Sequence, residues 1–390
     1  MKMNDLRGEL AAVLPEMIEL RHHIHQHPEL AFEEHATSDL VAARLAQWGY
    51  EVHRGLGGTG VVGRLRNGSG GKSVGIRADM DALPIVEDTG LPYASQHHGK
   101  MHACGHDGHT ATLLAAARHI AQTRRFDGTL NLIFQPAEEG AGGARRMVEE
   151  GLFERFPCDA IFALHNSPGL PVGKLAFRSG AALASADRVN IVIKGKGGHA
   201  AMPHFASDPI VAGASIVMAL QSIVARNVDP LESAVVTVGV FHAGVANNVI
   251  PASARLELSV RALTREVRML LRRRIHEIVA AQAGSLGVSA EVDYQDGYPV
   301  LVNTAAETAF ALGVGAELLG ADRVVKDPPA VMGSEDFAFM LEHRPGCYLF
   351  LGNGDGEGSC MVHNPGYDFN DTAMETGAAF WSLLVERFLV

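Results

Sequence analysis

The chain has 390 residues, of which 47% are hydrophobic and 20% are charged. This composition excludes a disordered chain, and the length favours two or three domains. The formal net charge of −11 is not offset by a long basic run. These charges argue against binding to nucleic acid or to an anionic membrane.

The cysteine content and the N-terminus bear on the cellular compartment. The four cysteines form no CxxC pair, so they do not imply a disulfide framework. Asp5, Arg7 and Glu9 interrupt the N-terminal stretch, which does not resemble a signal peptide. No apolar run approaches the roughly 18 residues of a membrane-spanning helix. We therefore expect a cytoplasmic protein with no membrane partner.

The first 165 or so residues alternate between helical and strand patterns. Helical spacing covers 4–25 and 36–48, and a third helix over 108–122 has Asp107 as its expected N-cap. Four short apolar runs are typical of buried strands: 60–65, 73–78, 129–134 and 160–164. Strands of this kind separated by helices predict a mostly parallel sheet with helices on both faces.

The pattern changes at about residue 187. A strand, a helix, two strands, a helix and a strand follow in the order of a ferredoxin-like domain; they cover 188–194, 209–226, 234–241, 254–261, 265–283 and 289–294. The α/β pattern then returns, with helices at 304–319 and 373–388 and a strand at 347–351. We therefore predict an α/β domain formed by 1–184 and 298–390, with an α+β domain inserted at 185–297.

Polar residues of metal-binding types follow the predicted parallel strands. Asp79 and Asp81 come after the second strand, Glu138 and Glu139 after the third, and His165 after the fourth. Cys104 and His106 lie in the loop that enters helix 108–122. Ligands bind at the carboxyl ends of strands in such sheets, and imidazole, thiolate and carboxylate groups suit zinc and related ions. The sequence therefore predicts a metal site at this edge.

The adjacent Glu138 and Glu139 can have different roles, because neighbouring side chains point in different directions. One could bind a metal while the other acts as a general base on a water whose pKa the metal has lowered. His363 lies in a turn near the C-terminus and is a further candidate ligand.

Other histidines carry weaker signals. The cluster His22, His23, His25 and His27 lies near the end of the first helix, where positive charge suits the helix dipole, and we expect it to be solvated. On spacing alone, His199 is a loop histidine, and Asn247 belongs to an ordinary turn.

Eight motifs together carry a resemblance to a known family. They are ADMDALP (78–84), MHACGHDGH (101–109), QPAEEG (135–140), LHNSP (164–168), GKGGHAAMPH (195–204), ANNVIP (246–251), GSEDF (333–337) and VHNPGYDF (362–369). In this order they resemble the amidohydrolase family of hippurate hydrolases, N-acyl-amino-acid hydrolases and auxin-conjugate hydrolases. That family belongs to a larger group with aminoacylase, carboxypeptidase G and succinyl-diaminopimelate desuccinylase.

The resemblance implies a catalytic domain with two divalent metal ions and an inserted domain through which the protein forms a homodimer. Its implied metal ligands are Cys104, His106, Glu139, His165 and His363. Glu138 would be the general base. His199 would stabilise the oxyanion, typically in the catalytic site of the partner subunit, and Asn247 would bind substrate nearby.

The first ligand strand departs from the pattern of the wider group. Asp79-Met80-Asp81 stands where that group has His-x-Asp, and Cys104 replaces a bridging aspartate, as is normal in the hippurate-hydrolase branch. Asp81 is then expected to orient a ligand or to tune Glu138. Manganese, nickel, cobalt and zinc are all compatible with these ligands.

We expect an enzyme that hydrolyses the amide bond of an N-acyl amino acid to a carboxylic acid and a free amino acid. A dipeptidase or carboxypeptidase with the same site is one alternative. A second is a cysteine hydrolase with Cys104 as nucleophile and His106 or His109 as base. A third is a non-catalytic protein that binds a metal or a metabolite.

Overall fold

The computed structural model describes residues 3–356 and 360–390. The chain forms two compact units, each considered by itself. The first, here called the sheet unit, consists of Met1–Gly180, Val302–Pro329 and Asp336–Val390. The second, here called the inserted unit, consists of Ala181–Leu301 and Ala330–Glu335. The short second segment of the inserted unit lies outside the predicted range of 185–297.

The secondary-structure elements alternate along the first half of the chain. In order they are α1 (Met3–Ala11), α2 (Leu14–Gln26), α3 (His35–Gln47), β1 (Glu51–Leu56), β2 (Gly60–Asn67), β3 (Ser73–Asp79), α4 (His106–Thr123), β4 (Gly128–Gln135), α5 (Gly143–Glu149), α6 (Leu152–Arg155), β5 (Ala160–Pro168) and β6 (Leu175–Phe177).

The remaining elements cover the insertion and the return of the chain. They are β7 (Gly180–Leu183), β8 (Ser185–Lys194), β9 (Gly198–His199), α7 (Pro209–Arg226), β10 (Ala234–Ala243), β11 (Val249–Ile250), β12 (Ser253–Ala262), α8 (Arg265–Ser285), β13 (Ser289–Tyr298), β14 (Leu301–Asn303), α9 (Ala305–Leu319), β15 (Val324–Lys326), α10 (Phe337–Leu341), β16 (Gly346–Gly354) and α11 (Ala373–Phe388). Short 3-10 turns lie at Pro203–Phe205 and Ala321–Arg323.

The sheet unit is built on an eight-stranded sheet with the order β1-β2-β4-β3-β5-β16-β6-β15. The central strands β4, β3, β5 and β16 are parallel to one another, as are β6 and β15. In β3, six of the seven residues are buried, so both faces of the strand are covered. The predicted α/β class with a mostly parallel sheet is confirmed.

The predicted first helix over 4–25 is wrong in one respect, because the chain forms two helices there. Helix α1 ends at Ala11, and α2 begins at Leu14 with Pro15 in its first turn. A proline lacks an amide hydrogen and its ring clashes with the carbonyl four residues before it, so a continuous helix cannot pass through it. The first turn of a helix tolerates proline well, and the break falls there.

Two predictions about histidine and aspartate near this helix are also wrong. His25 is not solvated but fully buried, because it lies on the face of α2 that packs against α4. Asp107 is not the N-cap of α4, which begins one residue earlier. Its carboxylate instead accepts hydrogen bonds from Arg21 at 3.0 Å and from His25 Nδ1 at 2.8 Å.

The inserted unit has an antiparallel sheet with the order β10-β12-β8-β13, the strand order of a ferredoxin-like fold. Strand β8 alternates buried and less buried residues, so one face of the sheet forms the core. Helices α7 and α8 pack on that face, with Ile216 and Leu271 among their fully buried residues.

Helix α7 contradicts the expectation that no apolar run of the chain is as long as a membrane-spanning helix. By length and composition it is able to cross a membrane, and it is the one such helix in the described part of the chain. Ala212, Ile216, Leu220 and Ile223 on one side of it are fully buried in the core of the inserted unit.

Candidate metal centre

The carboxyl ends of β3 and β4 and the start of α4 converge on one place. Asp79 is the last residue of β3, and Gln135 is the last residue of β4. Because these strands are parallel and adjacent, the loops that follow them lie at the same edge of the sheet. His106 is the first residue of α4, so this helix begins at that edge too.

The five implied ligands and Glu138 lie together in this structure. Three overlapping groups have possible ligand atoms that are all within 4.8 Å of one another: Cys104, His106 and His165; Cys104, Glu139 and His363; and His106, Glu138 and Glu139. The imidazole, thiol and carboxylate groups that the sequence separates by more than 250 residues are therefore brought to one cluster.

Asp81 orients three members of this cluster. The ring nitrogen Nδ1 of His106 lies 2.9 Å from the carbonyl oxygen of Asp81 and 3.2 Å from its Oδ1. The Asp81 carboxylate also accepts hydrogen bonds from the backbone amides of Glu138 at 3.0 Å and Glu139 at 2.9 Å. Since Nδ1 of His106 is engaged in this way, its Nε2 is the atom presented to a metal.

Cys104 and His165 face each other, with 3.3 Å between Sγ and Nε2. Nδ1 of His165 donates to the carbonyl of Asn166 at 2.7 Å. Burial and the nearby His109 hold the pKa of His165 well below its usual range, so the ring is neutral and Nε2 carries a lone pair. Burial and the carboxylates of Glu139 and Glu138 raise the pKa of Cys104 well above its usual range.

Glu139 and His363 complete the cluster on its more exposed side. Nε2 of His363 lies 3.2 Å from Oε1 of Glu139, and 51% of the His363 side chain is exposed. His363 has a φ of 65°, a left-handed conformation that costs energy for a residue with a Cβ. Its amide donates to the carbonyl of Ala103 at 2.6 Å, which fixes this conformation beside Cys104.

Glu138 is buried, with an exposed fraction of 7%, and its carboxylate belongs to one group with His106 and Glu139. Its Oε1 accepts a hydrogen bond from the amide of Asp336 at 3.3 Å. Ala137, the residue before it, also has a left-handed φ of 54°, and the buried Glu34 carboxylate accepts the Ala137 amide hydrogen bond at 2.8 Å. The carboxylates of Glu138 and Glu139 have different partners, the amide of Asp336 and the ring of His363.

Asp79 was predicted only as a polar residue after the second strand, and His109 only as a base in the cysteine-hydrolase alternative, yet both contact this cluster. Oδ2 of Asp79 lies 3.7 Å from Nε2 of His106, and its Oδ1 lies 2.7 Å from Nδ1 of His109. Burial opposes ionisation of Asp79, but His106, Arg77 and His109 hold its pKa well below the usual range. The sequence spacing could have indicated that His109 lies near the metal site, because His106 and His109 are three residues apart on α4 and therefore share a helix face.

Gly105 in the CGHDGH motif shows why a glycine is required there. It has a φ of 93°, and a Cβ at this position would lie 2.4 Å from Oδ1 of Asn166 and 2.6 Å from the hydroxyl of Tyr367. This close approach allows Asn166 to contact His109 at 2.7 Å. No motif in the sequence indicates that contact.

The donor set fits a divalent metal ion. Glu139 Oε1 lies 3.2 Å from His363 Nε2, and His106 Nε2 is a buried polar atom without a hydrogen-bond partner in the described part of the chain. A buried polar atom in this state is costly unless a ligand satisfies it. Both atoms belong to the groups described above, whose nitrogen, sulfur and oxygen donors suit zinc, manganese, nickel or cobalt.

The two remaining site residues, His199 and Asn247, belong to the inserted unit. His199 in β9 pairs with Val249 in β11, so the GKGGHAAMPH and ANNVIP motifs lie side by side. The side chains of His199 and Asn247 are both exposed, and the His199 Nδ1 accepts a hydrogen bond from the Ala201 amide at 3.0 Å.

With this fold and this cluster, the chain belongs to the peptidase family M20/M25/M40, whose model matches residues 75–387. It is 44% identical to the hippurate hydrolase of Campylobacter jejuni over 99% of this chain and 98% of that protein. It is 38% identical to the N-acetyl-L-cysteine deacetylase of Bacillus subtilis over 97% of this chain and 90% of that protein. The chain is therefore a hydrolase of the amidohydrolase group, as the motifs indicated.

A solved structure shares the fold over almost the whole chain. The Bacillus subtilis YXEP protein, described as a dinuclear metal binding peptidase from the M20 family, superposes with a TM-score of 0.85. The two sequences are 34% identical, and the match covers 97% of this chain and 99% of that one.

Proposed function

We propose that this protein hydrolyses the amide bond of N-acyl amino acids and releases a carboxylic acid and a free amino acid. The observation that carries this proposal is the buried Glu138 carboxylate beside a cluster of five metal-ligand side chains. The names of the two curated relatives, a hippurate hydrolase and an N-acetyl-L-cysteine deacetylase, support an N-acyl amino acid as substrate.

Two divalent ions are the proposed cofactor, and Cys104, His106, Glu139, His165 and His363 are the proposed ligands. The YXEP protein, described as a dinuclear metal binding peptidase, supports this number. When bound, the ions supply Lewis acidity to the substrate carbonyl and lower the pKa of a coordinated water. Asp81 holds the His106 ring and the backbone of both glutamates in place.

Glu138 is the proposed general base. It takes a proton from the attacking water and delivers that proton to the nitrogen of the leaving amino acid. Its contacts support this role. Its neighbour Glu139 contacts the candidate ligand His363, whereas Glu138 accepts a hydrogen bond from the amide of Asp336. A carboxylate that does not bind a metal is free to carry the proton in both directions.

His199 and Asn247 are proposed to bind the substrate from the inserted unit. His199 would donate to the oxyanion that develops on the carbonyl, an interaction that is strongest in the transition state. Pairing between β9 and β11 keeps the two motifs together, so one rigid segment would carry both contacts. We further propose that the inserted unit forms a homodimer, with His199 serving the partner subunit.

A substrate panel on metal-free and metal-loaded protein tests the proposed function. We expect hydrolysis of benzoyl, acetyl or indoleacetyl amino acids, its loss after chelation, and its recovery with individual manganese, nickel, cobalt or zinc ions. Faster cleavage of dipeptides with a free amino group would instead identify a dipeptidase. Stoichiometric metal without turnover of any amide would identify a binding protein.

The alternative with Cys104 as nucleophile is disfavoured by its surroundings. A nucleophilic cysteine acts as the thiolate and occupies an electropositive environment. Burial and the neighbouring carboxylates of Glu139 and Glu138 raise the pKa of the Cys104 thiol well above its usual range, so a thiolate at this position is favoured only beside a bound cation, as the proposed role of metal ligand requires. Activity that survives complete chelation would restore the cysteine mechanism.

A further inference from the structure

A cavity of about 650 Å³ opens at the opposite edge of the sheet from the candidate metal centre. It is lined by Ser73, the first residue of β3, and Thr129, the second residue of β4, whereas Asp79 and Gln135 at the other ends of the same strands lie beside the metal cluster. Six residues of strand separate Ser73 from Asp79, which corresponds to roughly 20 Å. The cavity is therefore not part of the proposed catalytic site.

Four arginines line this cavity: Arg64, Arg66, Arg124 and Arg155. Among the residues that the structure describes, none of these four guanidinium groups has a carboxylate within salt-bridge distance. Two arginines outside the cavity form salt bridges: Arg125 lies 2.7 Å from Glu9, and Arg146 lies 3.0 Å from Glu150. The one acidic residue in the lining, Glu51, lies 2.8 Å from His53.

Two of the four arginines are held in place by buried groups. The Arg64 guanidinium donates to Oδ1 of the fully buried Asn131 at 3.3 Å and also to the backbone carbonyl of Arg155. The carbon atoms Cζ of Arg64 and Arg155 lie 4.8 Å and 5.4 Å from the ring centre of the buried Phe156. Two positive charges beside one ring repel each other, and an anion bound between them would offset this electrostatic repulsion.

These features fit one class of ligand. Guanidinium groups bind phosphate and carboxylate oxygens in a bidentate manner, and preformed arginines lose little entropy when they do so. The volume lies within the usual range for small-molecule sites. The formal charge of −11 for the whole chain disfavours a long nucleic acid, whereas a concentrated positive cavity attracts a compact anion.

We propose that this cavity binds a small organic anion with two or more phosphoryl or carboxylate groups, at a site separate from the one that holds the substrate. Phosphoryl and carboxylate ligands share the chemistry that the arginines recognise. Isothermal titration calorimetry of the metal-loaded protein distinguishes the two kinds of ligand. Inorganic pyrophosphate is the phosphoryl probe, and benzene-1,3,5-tricarboxylate is the carboxylate probe.

We expect saturable binding of at least one probe, weakened about tenfold or more by the double variant Arg124→Gln/Arg155→Gln. Both side chains are exposed, so the variant should fold. Arg145→Gln is the matched control, because Arg145 is also exposed and also stacks on an aromatic ring, that of Phe339 at 5.2 Å, but lies outside the cavity.

Binding of pyrophosphate alone supports a phosphorylated ligand, and binding of the tricarboxylate alone supports a polycarboxylate. The proposal is overturned if neither probe binds, if binding persists in the double variant because the probe occupies the metal centre, or if Arg145→Gln weakens it equally. Arginine-dependent binding of duplex DNA that is tighter than binding of either probe would also overturn it.

Discussion

Glu138 and Asp81 are both buried carboxylates beside the same cluster, but their contacts differ. Asp81 accepts hydrogen bonds from the ring of a candidate ligand and from two backbone amides. Glu138 accepts one from the amide of Asp336, and we have proposed that it moves the proton. On this proposal, Asp81 would affect metal affinity and Glu138 would affect turnover.

Substitution of each carboxylate by its amide tests this difference. Glu138→Gln should lower kcat by about 10²- to 10⁴-fold while the bound metal, measured by elemental analysis, stays at the level of the unchanged protein. Asp81→Asn places an amide donor opposite backbone N–H groups and should weaken metal affinity about 10- to 100-fold. Near-native turnover in Glu138→Gln would remove this residue from the mechanism.

A buried histidine away from the cluster gives a dependence of stability on pH. Burial opposes protonation of His25, but Asp107 at 2.8 Å and Glu87 at 3.4 Å raise its pKa to about 9. The value in an unfolded chain is about 6.5. Because the folded pKa is the higher one, the stabilisation is fully present below about pH 6.5 and is lost as the pH rises through 9.

The variant His25→Gln should therefore be less stable than the unchanged protein at pH 6, by on the order of 3 kcal/mol at most. That difference should shrink between pH 7 and pH 9.5. Thermal unfolding of metal-loaded protein across this range measures it, with His204→Gln at an exposed position as control. A constant difference between pH 6 and pH 9.5 would mean that His25 is not charged in the folded protein.

At the scale of elements, the start of α4 fits closely against the C-terminal motif. A Cβ on Gly108 would lie 2.3 Å from ring atoms of the fully buried Phe369. Gly313 in α9 is a helical glycine with nothing within 4 Å of the corresponding position, and it is exposed. The same substitution at the two positions should have opposite effects.

We expect Gly108→Ala to destabilise the protein by about 1–3 kcal/mol, since the phenylalanine ring cannot move out of the core without opening it. Gly313→Ala should leave stability unchanged or raise it by up to about 1 kcal/mol, because alanine favours helix. Thermal or urea unfolding of both variants provides the comparison. Equal effects would mean that the close contact at Gly108 relaxes freely.

The elements also show which parts of the fold were predictable. The ferredoxin-like order of the insertion followed from alternating apolar residues such as those of β8, which covers one face of a core. Strand β1, with the sequence EVHRGL and Leu56 as its one buried residue, was missed because it has no such alternation. His25 was placed in solvent because its partners, Asp107 and Glu87, are more than 60 residues away.

The same reasoning applies to the candidate centre. Residues that follow parallel strands, such as Glu138, could be located from the sheet alone. The contact between His109 and Asn166 at 2.7 Å depends on the left-handed turn at Gly105, and no local pattern reports that geometry. His199 gained its proposed role only from the family motif, because nothing in its spacing distinguishes it from an ordinary loop histidine.

At the scale of the whole molecule, the proposed homodimer makes a specific prediction. The inserted unit exposes large apolar side chains on α7, with Met218 73% and Val211 54% exposed, and β10 is an edge strand of its sheet. Exposed apolar patches and open strand edges are typical of association surfaces. These are the surfaces through which the proposed homodimer would form.

Subunit mixing tests this arrangement. Glu138→Gln and His199→Ala should each be nearly inactive alone. After they are unfolded and refolded together, hybrid dimers would contain one site with both residues intact, so activity should return to about one quarter of the unchanged protein. Mixing without subunit exchange is the control, and failure of hybrid dimers to regain activity would place His199 in its own subunit's site.

Strand β16 has a consequence for the order in which this protein acquires its structure. It lies between β5 and β6 in the sheet, yet it is the last strand of the chain. During synthesis, the sides of β5 and β6 that face β16 have no strand partner until β16 has left the ribosome, although β5 can pair with β3 and β6 with β15 before then. The nascent sheet is therefore open at its centre, which is the condition in which chains associate wrongly and require chaperones.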